Sequence, residues 1–319
     1  MSDYRAMLEE EIKSINLPVD RLPGLYEPIV YSLENGGKRL RPILLLMACE
    51  AFGGNPEDAR RAALGIEMYH NFTLLHDDVM DRSDLRRGKP TVFKKWGTDT
   101  AILSGDVMLT LAGDYMSEVP DSCLRTVLKE FNEMAVGVYE GQQLDMEFEQ
   151  CDDVTLERYL EMIRLKTSVL LGAACSIGAR IGGATDEEAR AMYRFGESLG
   201  VAFQIQDDYL DVYGDSATFG KPVGGDILNN KKTFLTIKVK ELGGANAQAL
   251  QSAMELPAGD LKVRTVRNIM TAAEMPRVCR KAWDEWSGRA IKSLADTSLD
   301  KEAAVALKSV VEKLIDRKK

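Results

Sequence analysis

The chain has 319 residues, 45% of them hydrophobic, which is enough for a substantial core. Its 41 Lys and Arg against 50 Asp and Glu give a formal net charge of −9. That charge argues against a general nucleic-acid or anionic-membrane surface and leaves any phosphate recognition to local basic clusters. Two histidines, His70 and His76, are too few for a typical zinc enzyme. The five scattered cysteines form no CxxC pair, as expected of thiols in a reducing compartment. The N-terminus lacks the basic-then-apolar order of a signal peptide. No apolar run approaches the ~20 residues of a membrane span. The expectation is a cytoplasmic protein without stable membrane insertion.

Almost every segment carries helical periodicity and strand signals are missing, so the expected fold is all-α, one domain over residues 1–319. Residues 4–15 read as an amphipathic helix, broken by Pro18 and Pro23. A second helix over 25–33 is stopped by Asn35-Gly36-Gly37. Residues 42–52 are apolar and end in the turn Gly53-Gly54-Asn55-Pro56. Pro56 suits the first turn of the next helix, which runs to Asp81 and spans about 37 Å at 1.5 Å per residue. Residues 84–91 read as a loop. Helices follow over 98–119 and 121–149, then a broken pair over 155–165 and 168–181, then 186–213. A Gly-rich loop at 214–225 precedes five shorter helices over 233–242, 245–254, 261–270, 275–295 and 301–315.

The most informative stretch is His76-Asp77-Asp78-Val79-Met80-Asp81, at the end of the fourth helix. Asp77 and Asp81 lie one turn apart and share a face, where like charges repel unless a cation bridges them. Mg2+ suits such a site, because it takes hard oxygen ligands from one or two carboxylates plus substrate phosphates. A solvated acidic helix end fits the single motif as well. A second copy, Asp207-Asp208-Tyr209-Leu210-Asp211, also ends an apolar run, and two copies are hard to explain as surface decoration. Facing helices that project carboxylates inward are a known way to build a metal site.

The chain also supplies cations to match. Gly36-Gly37-Lys38-Arg39-Leu40-Arg41-Pro42 puts three bases behind a glycine turn and ahead of a helix, a favourable place for an anion. Arg86-Arg87 follows the first acidic motif; Lys166-Thr167, Lys221 and Lys231-Lys232 are further candidates. Arginine suits bidentate phosphate recognition and lysine acts as a mobile point charge. Any one of these bases alone reads equally as a solvated surface charge. Gln204 precedes Asp207 by three residues and shares a helix face with it; it is either a group near the reaction or a buried amide satisfied by a neighbour.

Taken in order, Gly37-Lys38-Arg39-Leu40-Arg41-Pro42, Leu74-Leu75-His76-Asp77-Asp78-Val79-Met80-Asp81, Leu85-Arg86-Arg87-Gly88-Lys89-Pro90-Thr91, Gly141-Gln142-Gln143-Leu144-Asp145, Lys166-Thr167, Phe203-Gln204-Ile205-Gln206-Asp207-Asp208-Tyr209-Leu210-Asp211 and Gly220-Lys221-Pro222 resemble the trans-isoprenyl diphosphate synthases of the polyprenyl synthetase family over nearly the full chain. The resemblance implies a helical bundle around a central cavity, usually a homodimer. It implies Mg2+ bridging Asp77, Asp78, Asp81 and Asp207, Asp208, Asp211 to an allylic diphosphate (dimethylallyl, geranyl or farnesyl). Arg86, Lys166, Lys221 and Lys231 match positions that hold that diphosphate. Lys38, Arg41, His70 and Arg87 match those that hold isopentenyl diphosphate. Thr167 and Gln204 match groups near the reacting carbon, and Gln142 and Asp145 match positions close to the metal or behind its ligands.

The implied reaction is head-to-tail condensation. Loss of the allylic diphosphate leaves a carbocation, the alkene of isopentenyl diphosphate attacks it, and a proton departs. No protein nucleophile is needed, in keeping with the absence of a Cys/His or Ser/His dyad. In the family, the residues four and five positions before the first aspartate line the floor of the chain pocket. Here they are Thr73 and Phe72, and bulky Phe72 suggests a short product, farnesyl or geranylgeranyl diphosphate; ordinary core packing explains Phe72 equally well. A longer-chain synthase remains an alternative. A class I terpene cyclase is a weaker one, because residues 37–42 and Arg87 imply a second diphosphate site and the second acidic motif is all aspartate. A non-catalytic synthase subunit would have lost aspartates. A helical scaffold with acidic patches would bind no Mg2+–diphosphate.

Overall fold

The computed structural model describes residues 2–214 and 223–315. Among them the regular structure is helical apart from one hairpin of two short strands. The chain forms two compact units. Unit 1 comprises Met1–Glu133, Ala173–Tyr193 and Thr297–Asp300, and unit 2 comprises Met134–Gly172, Arg194–Asp296 and Lys301–Lys319.

In unit 1, α1 (Ser2–Lys13), α2 (Pro23–Glu34) and α3 (Leu40–Ala51) precede the long α4 (Pro56–Met80). Pro23 does not break a helix; it occupies the first turn of α2, where its missing N–H has no partner to lose. Asn55 caps α4 by accepting from the Glu57 amide. Residues 84–91, expected as a loop, form an antiparallel hairpin, β1 (Leu85–Arg86) with β2 (Lys89–Pro90). Arg87 and Gly88 at its tip both have positive φ, as a tight two-residue turn demands. A short α5 (Val92–Trp96), absent from the sequence reading, leads into α6 (Thr98–Met116). Helix α4 packs between α3 and α6. It is buried on every side from Ala62 to Tyr69, with Leu64, Ile66, Met68 and Tyr69 fully enclosed, which makes it the spine of this unit. Gly65 permits that approach: a Cβ there would lie 3.0 Å from the Ala112 carbonyl oxygen.

Helices α7 (Asp121–Glu149) and α10 (Asp186–Tyr213) have the expected bounds. The expected broken pair is instead one helical stretch, α8 (Leu156–Ile163) and α9 (Val169–Ile181) joined by a π-helical turn, Arg164–Ser168. This stretch is long and apolar enough to cross a bilayer, which the sequence reading did not anticipate; 78% of its most apolar window is buried inside the protein. Unit 2 continues with α11 (Gly225–Leu228), α12 (Phe234–Leu242), α13 (Gly244–Met254), α14 (Asp260–Ala272), α15 (Met275–Ser293) and α16 (Lys301–Ile315). Its core gathers Phe148, Tyr159, Met162, Ile205, Phe234, Leu235, Met270 and Trp283.

Candidate active site

In unit 1, α4 ends where the first acidic motif requires. Asp81 is the C-cap, its amide bonded to the Asp77 carbonyl at 2.8 Å, so Asp77 and Asp81 stand one turn apart as expected. The three aspartates differ in environment: Asp77 is half-buried, Asp78 is 4% exposed and Asp81 is exposed. Asp78 is clasped by Arg86, whose Nε reaches both carboxylate oxygens at 2.9 and 3.0 Å and whose Nη2 reaches Oδ1 at 2.7 Å. Burial pushes the Asp78 carboxyl up and the guanidinium opposes it. Both oxygens of Asp78 are thus already engaged, and Arg86, expected on a substrate diphosphate, is anchored to the motif itself. His76 packs its ring on Gly105, where a Cβ would lie 2.3 Å away, and meets the Ile102 carbonyl at 3.1 Å.

The basic turn at 36–41 belongs to the same unit. Gly36 and Gly37 both take positive φ, and the Arg87 guanidinium packs close to Gly37, 2.9 Å from where a Cβ would stand. Arg87 donates to the Gly36 carbonyl. Lys38 is exposed, and Arg41 donates from Nη1 to His70 Nε2 at 3.2 Å. His70 must accept that bond, so it is neutral. Burial first, then the charges of Arg41, Arg87, Arg86 and Arg39, hold its pKa well below the usual range. Of these, Arg41 and Arg87 leave a local positive field beside a neutral imidazole, which suits an anion. Arg39 departs from expectation. It is 3% exposed and bound to Glu67, Glu9 and the Leu33 carbonyl, so it presents no charge to a ligand.

One turn before the motif, Phe72 is 5% exposed; its ring meets Tyr69 at a tilt, with centroids 5.4 Å apart, and His76 edge to face at 4.7 Å. The Thr73 hydroxyl donates to the His70 carbonyl at 2.8 Å.

Unit 2 carries the second motif, assembled differently. Asp208 is buried and accepts from the Tyr159 hydroxyl, the Phe234 amide at 2.8 Å and the Gln204 amide at 3.2 Å. Burial, with Asp226 adding to it, pushes its carboxyl up to about 7 against those three donors. Asp211 is buried and accepts the Asp226 amide at 3.1 Å. Asp207 is half-buried. Gln204 bridges: its Nε2 holds Asp208, and its Oε1 accepts from the Thr167 hydroxyl at 3.4 Å.

Thr167 and Lys166 ride on the π turn. That turn fits because glycines face it: a Cβ on Gly141 of α7 would lie 2.2 Å from the Lys166 nitrogen, and one on Gly200 of α10 2.7 Å from the Ser168 Cα. The Ser168 hydroxyl donates to the Ile163 carbonyl at 3.2 Å, satisfying a group the wider turn disturbs. Lys166 Nζ is paired with Asp145 at 2.6 Å, and Gln142 lies one turn before Asp145 on α7. Lys231 is half-buried and follows Asn230, which has a left-handed backbone and whose Oδ1 accepts from Lys262 Nζ at 2.7 Å. Lys221 lies outside the described residues.

Among the described residues no group of three or more His, Cys, Asp and Glu stands ready-made for a metal. The donor chemistry fits Mg2+ nonetheless, since that ion usually uses one or two carboxylates and completes its shell with water and phosphate. Tyr159, Glu67 and Asp226 were missed from the sequence. Tyr159 carries no local signal of its role; Asp226 lies in a stretch of turn residues that hides its bond to Asp211.

The fold and the paired acidic motifs define an all-α enzyme of the isoprenoid synthase type. Residues 23–272 match the family described as polyprenyl synthetase, and the chain belongs to that family and is a prenyltransferase. It is 44% identical over 229 residues to a geranylgeranyl diphosphate synthase of Methanosarcina mazei, covering 71% of each chain. It is 40% identical over 261 residues to a geranylfarnesyl diphosphate synthase of Natronomonas pharaonis, covering 76% of each. A crystal structure of a geranylgeranyl pyrophosphate synthase superimposes with a TM-score of 0.95 at 41% identity, over 100% of this chain and 99% of the other.

Proposed function

We propose that the protein condenses isopentenyl diphosphate head-to-tail with an allylic diphosphate, giving a 15- to 20-carbon trans-prenyl diphosphate and free diphosphate. The observation that carries this reading over a cyclase is the cationic site around His70. A cyclase binds one diphosphate, whereas Arg41, Arg87 and Lys38 offer a second site in addition to the acidic motifs.

Mg2+ is the proposed cofactor; Asp77 and Asp81 would be the ligands that the first motif offers and Asp207 the ligand that the second offers, and the bound metal would neutralise the departing diphosphate. Asp78 and Asp208, both buried and fully bonded, serve to fix the helix ends that carry those ligands. Lys166, Lys231 and Lys221 add positive charge toward the leaving group. The Thr167 hydroxyl and the Gln204 carbonyl offer negative ends of dipoles to a carbocation, and their mutual contact fixes both. Lys38, Arg41 and Arg87 hold the diphosphate of isopentenyl diphosphate beside neutral His70. The released diphosphate takes the proton. We further propose a homodimer in the cytoplasm. Burial pushes up the thiols of Cys49, Cys175 and Cys279, and no disulfide joins the described cysteines.

Incubation with isopentenyl diphosphate and each of dimethylallyl, geranyl and farnesyl diphosphate, with products read by mass spectrometry, tests the reaction. Geranylgeranyl diphosphate is the expected end point, and accumulation of geranylfarnesyl or longer chains overturns the short-chain reading. Phe72→Ala then lengthens the product if Phe72 is the floor of the chain pocket; an unchanged product length assigns Phe72 to core packing alone.

A further inference from the structure

The basic turn at 36–41 is a poor candidate for self-support. Gly36, Gly37 and Arg39 all have positive φ, at 71°, 141° and 51°, and residues 36–39 belong to no helix or strand. For Arg39 that backbone is sterically costly, because it carries a Cβ. A segment shaped this way keeps its form only if its surroundings over-determine it.

Three arginines supply that constraint, from three parts of the chain. Arg87 at the hairpin tip donates to the Gly36 carbonyl. Arg5 on α1 donates to the Gly37 carbonyl at 3.0 Å. Arg39 itself turns inward, with its side chain 1% exposed. Its Nη1 meets Glu67 at 2.5 Å, its Nη2 the Leu33 carbonyl at 2.5 Å and its Nε Glu9 of α1 at 3.2 Å. Glu67 is fixed in turn by Asn71, which donates to its carboxylate at 2.9 Å and its carbonyl at 2.8 Å. Each donor of the fork points at a different acceptor, a geometry that lysine cannot reproduce.

We propose that Arg39, Glu67 and the N-terminal helix, through Glu9 and Arg5, form a clamp that positions this turn. Affinity for isopentenyl diphosphate then depends on side chains that do not touch it. The inference rests on the reading that Lys38, Arg41 and Arg87 receive that diphosphate. Helix α1 lies before the stretch matched by the family, residues 23–272, so two of the clamp's members come from outside it. The inner charge of Arg39 is compensated by Glu9 and Glu67, which leaves the turn's charge bias to Lys38 and Arg41.

Steady-state kinetics on the full chain test the clamp, with Glu9→Gln, Arg5→Gln, Arg39→Lys and, as a control on the site itself, Lys38→Ala. Glu9 and Arg5 reach solvent, so their variants keep the test open even if Arg39→Lys unfolds. The expected result for Glu9→Gln is a KM for isopentenyl diphosphate raised about three- to tenfold, the loss of one charge-assisted bond, with kcat and the KM for the allylic diphosphate within about twofold. Arg5→Gln raises the same KM alone, and Arg39→Lys raises it further. If Lys38→Ala raises that KM while Glu9→Gln and Arg5→Gln leave it unchanged, the clamp is overturned and the site stands. If Lys38→Ala also leaves it unchanged, the site reading fails and the clamp fails with it. A uniform loss of kcat and of both affinities, together with a lowered Tm in the Glu9 and Arg5 variants, reduces the clamp to general stability and overturns it.

Discussion

The two acidic motifs are near-identical in sequence and differ in how the fold holds them. In each, the middle aspartate is buried and spoken for. At the first motif the partner is a cation: Arg86 binds Asp78 with two nitrogens. At the second the partners are neutral: the Tyr159 hydroxyl, the Phe234 amide and the Gln204 amide converge on Asp208. Burial acts on both carboxyls in the same direction, and at Asp208 it prevails over three hydrogen bonds. The middle position of DDxxD is therefore a fastening whose chemistry each site solves separately, and the motifs differ again at the last position, exposed at Asp81 and buried at Asp211.

The largest effect follows from that division of roles. Asp77→Ala is expected to lower kcat by about 10²-fold or more with little change in Tm, because it removes a proposed ligand from a half-buried helix end. Unimpaired turnover would break the assignment of the outer aspartates as ligands. Arg86→Ala should act mainly on stability. It strands a buried carboxylate, and the cost of breaking such a pair is about 3–5 kcal/mol when both partners are fully buried. With Arg86 24% exposed, about 2–3 kcal/mol by urea denaturation is expected. Tyr159→Phe removes one neutral donor of several and should cost about 1–2 kcal/mol. If Tyr159→Phe is the costlier of the two, the contrast between an ionic and a neutral fastening is wrong.

Much of this was legible beforehand for a physical reason. Helix α4 announces its start with Asn55-Pro56 and its end with a cluster of like charges, and the structure runs from Pro56 to Met80. Caps and periodicity are local, so they survive in a single sequence. What stayed hidden was non-local. The π turn at Arg164–Ser168 depends on Gly141 and Gly200, far away in sequence, which make room for its backbone. Arg39 reads like its neighbours Lys38 and Arg41, and only the positions of Glu9 and Glu67 turn it inward. The hairpin at 85–90 is too short for alternation to show.

A third carboxylate sharpens the comparison by separating hydrogen bonding from burial. Glu188 sits in the first turn of α10, where Thr185 and Glu188 exchange bonds in a capping box: the Thr185 amide reaches Oε2 at 2.9 Å, and the Glu188 amide reaches the Thr185 hydroxyl at 3.3 Å. Ser298 adds its amide at 3.0 Å and its hydroxyl. Like Asp208, Glu188 accepts several neutral donors. Unlike Asp208, it is only half-buried, and its pKa goes the other way, from 4.5 down to about 2. Hydrogen bonds to the charged form lower a carboxyl pKa unless desolvation outweighs them. Because the folded value is depressed, the contribution of Glu188 to stability is fully present above pH 4.5 and is lost as pH falls toward about 2. Glu188→Gln keeps an acceptor but not the charge, so at neutral pH it should cost only about 0.5 kcal/mol. The gap between wild type and variant, read from urea denaturation at successive pH values, should narrow across that window. A gap that stays constant down to the acid limit would mean that the hydrogen bonds do not favour the charged form, and the same doubt would then reach the three donors that hold Asp208.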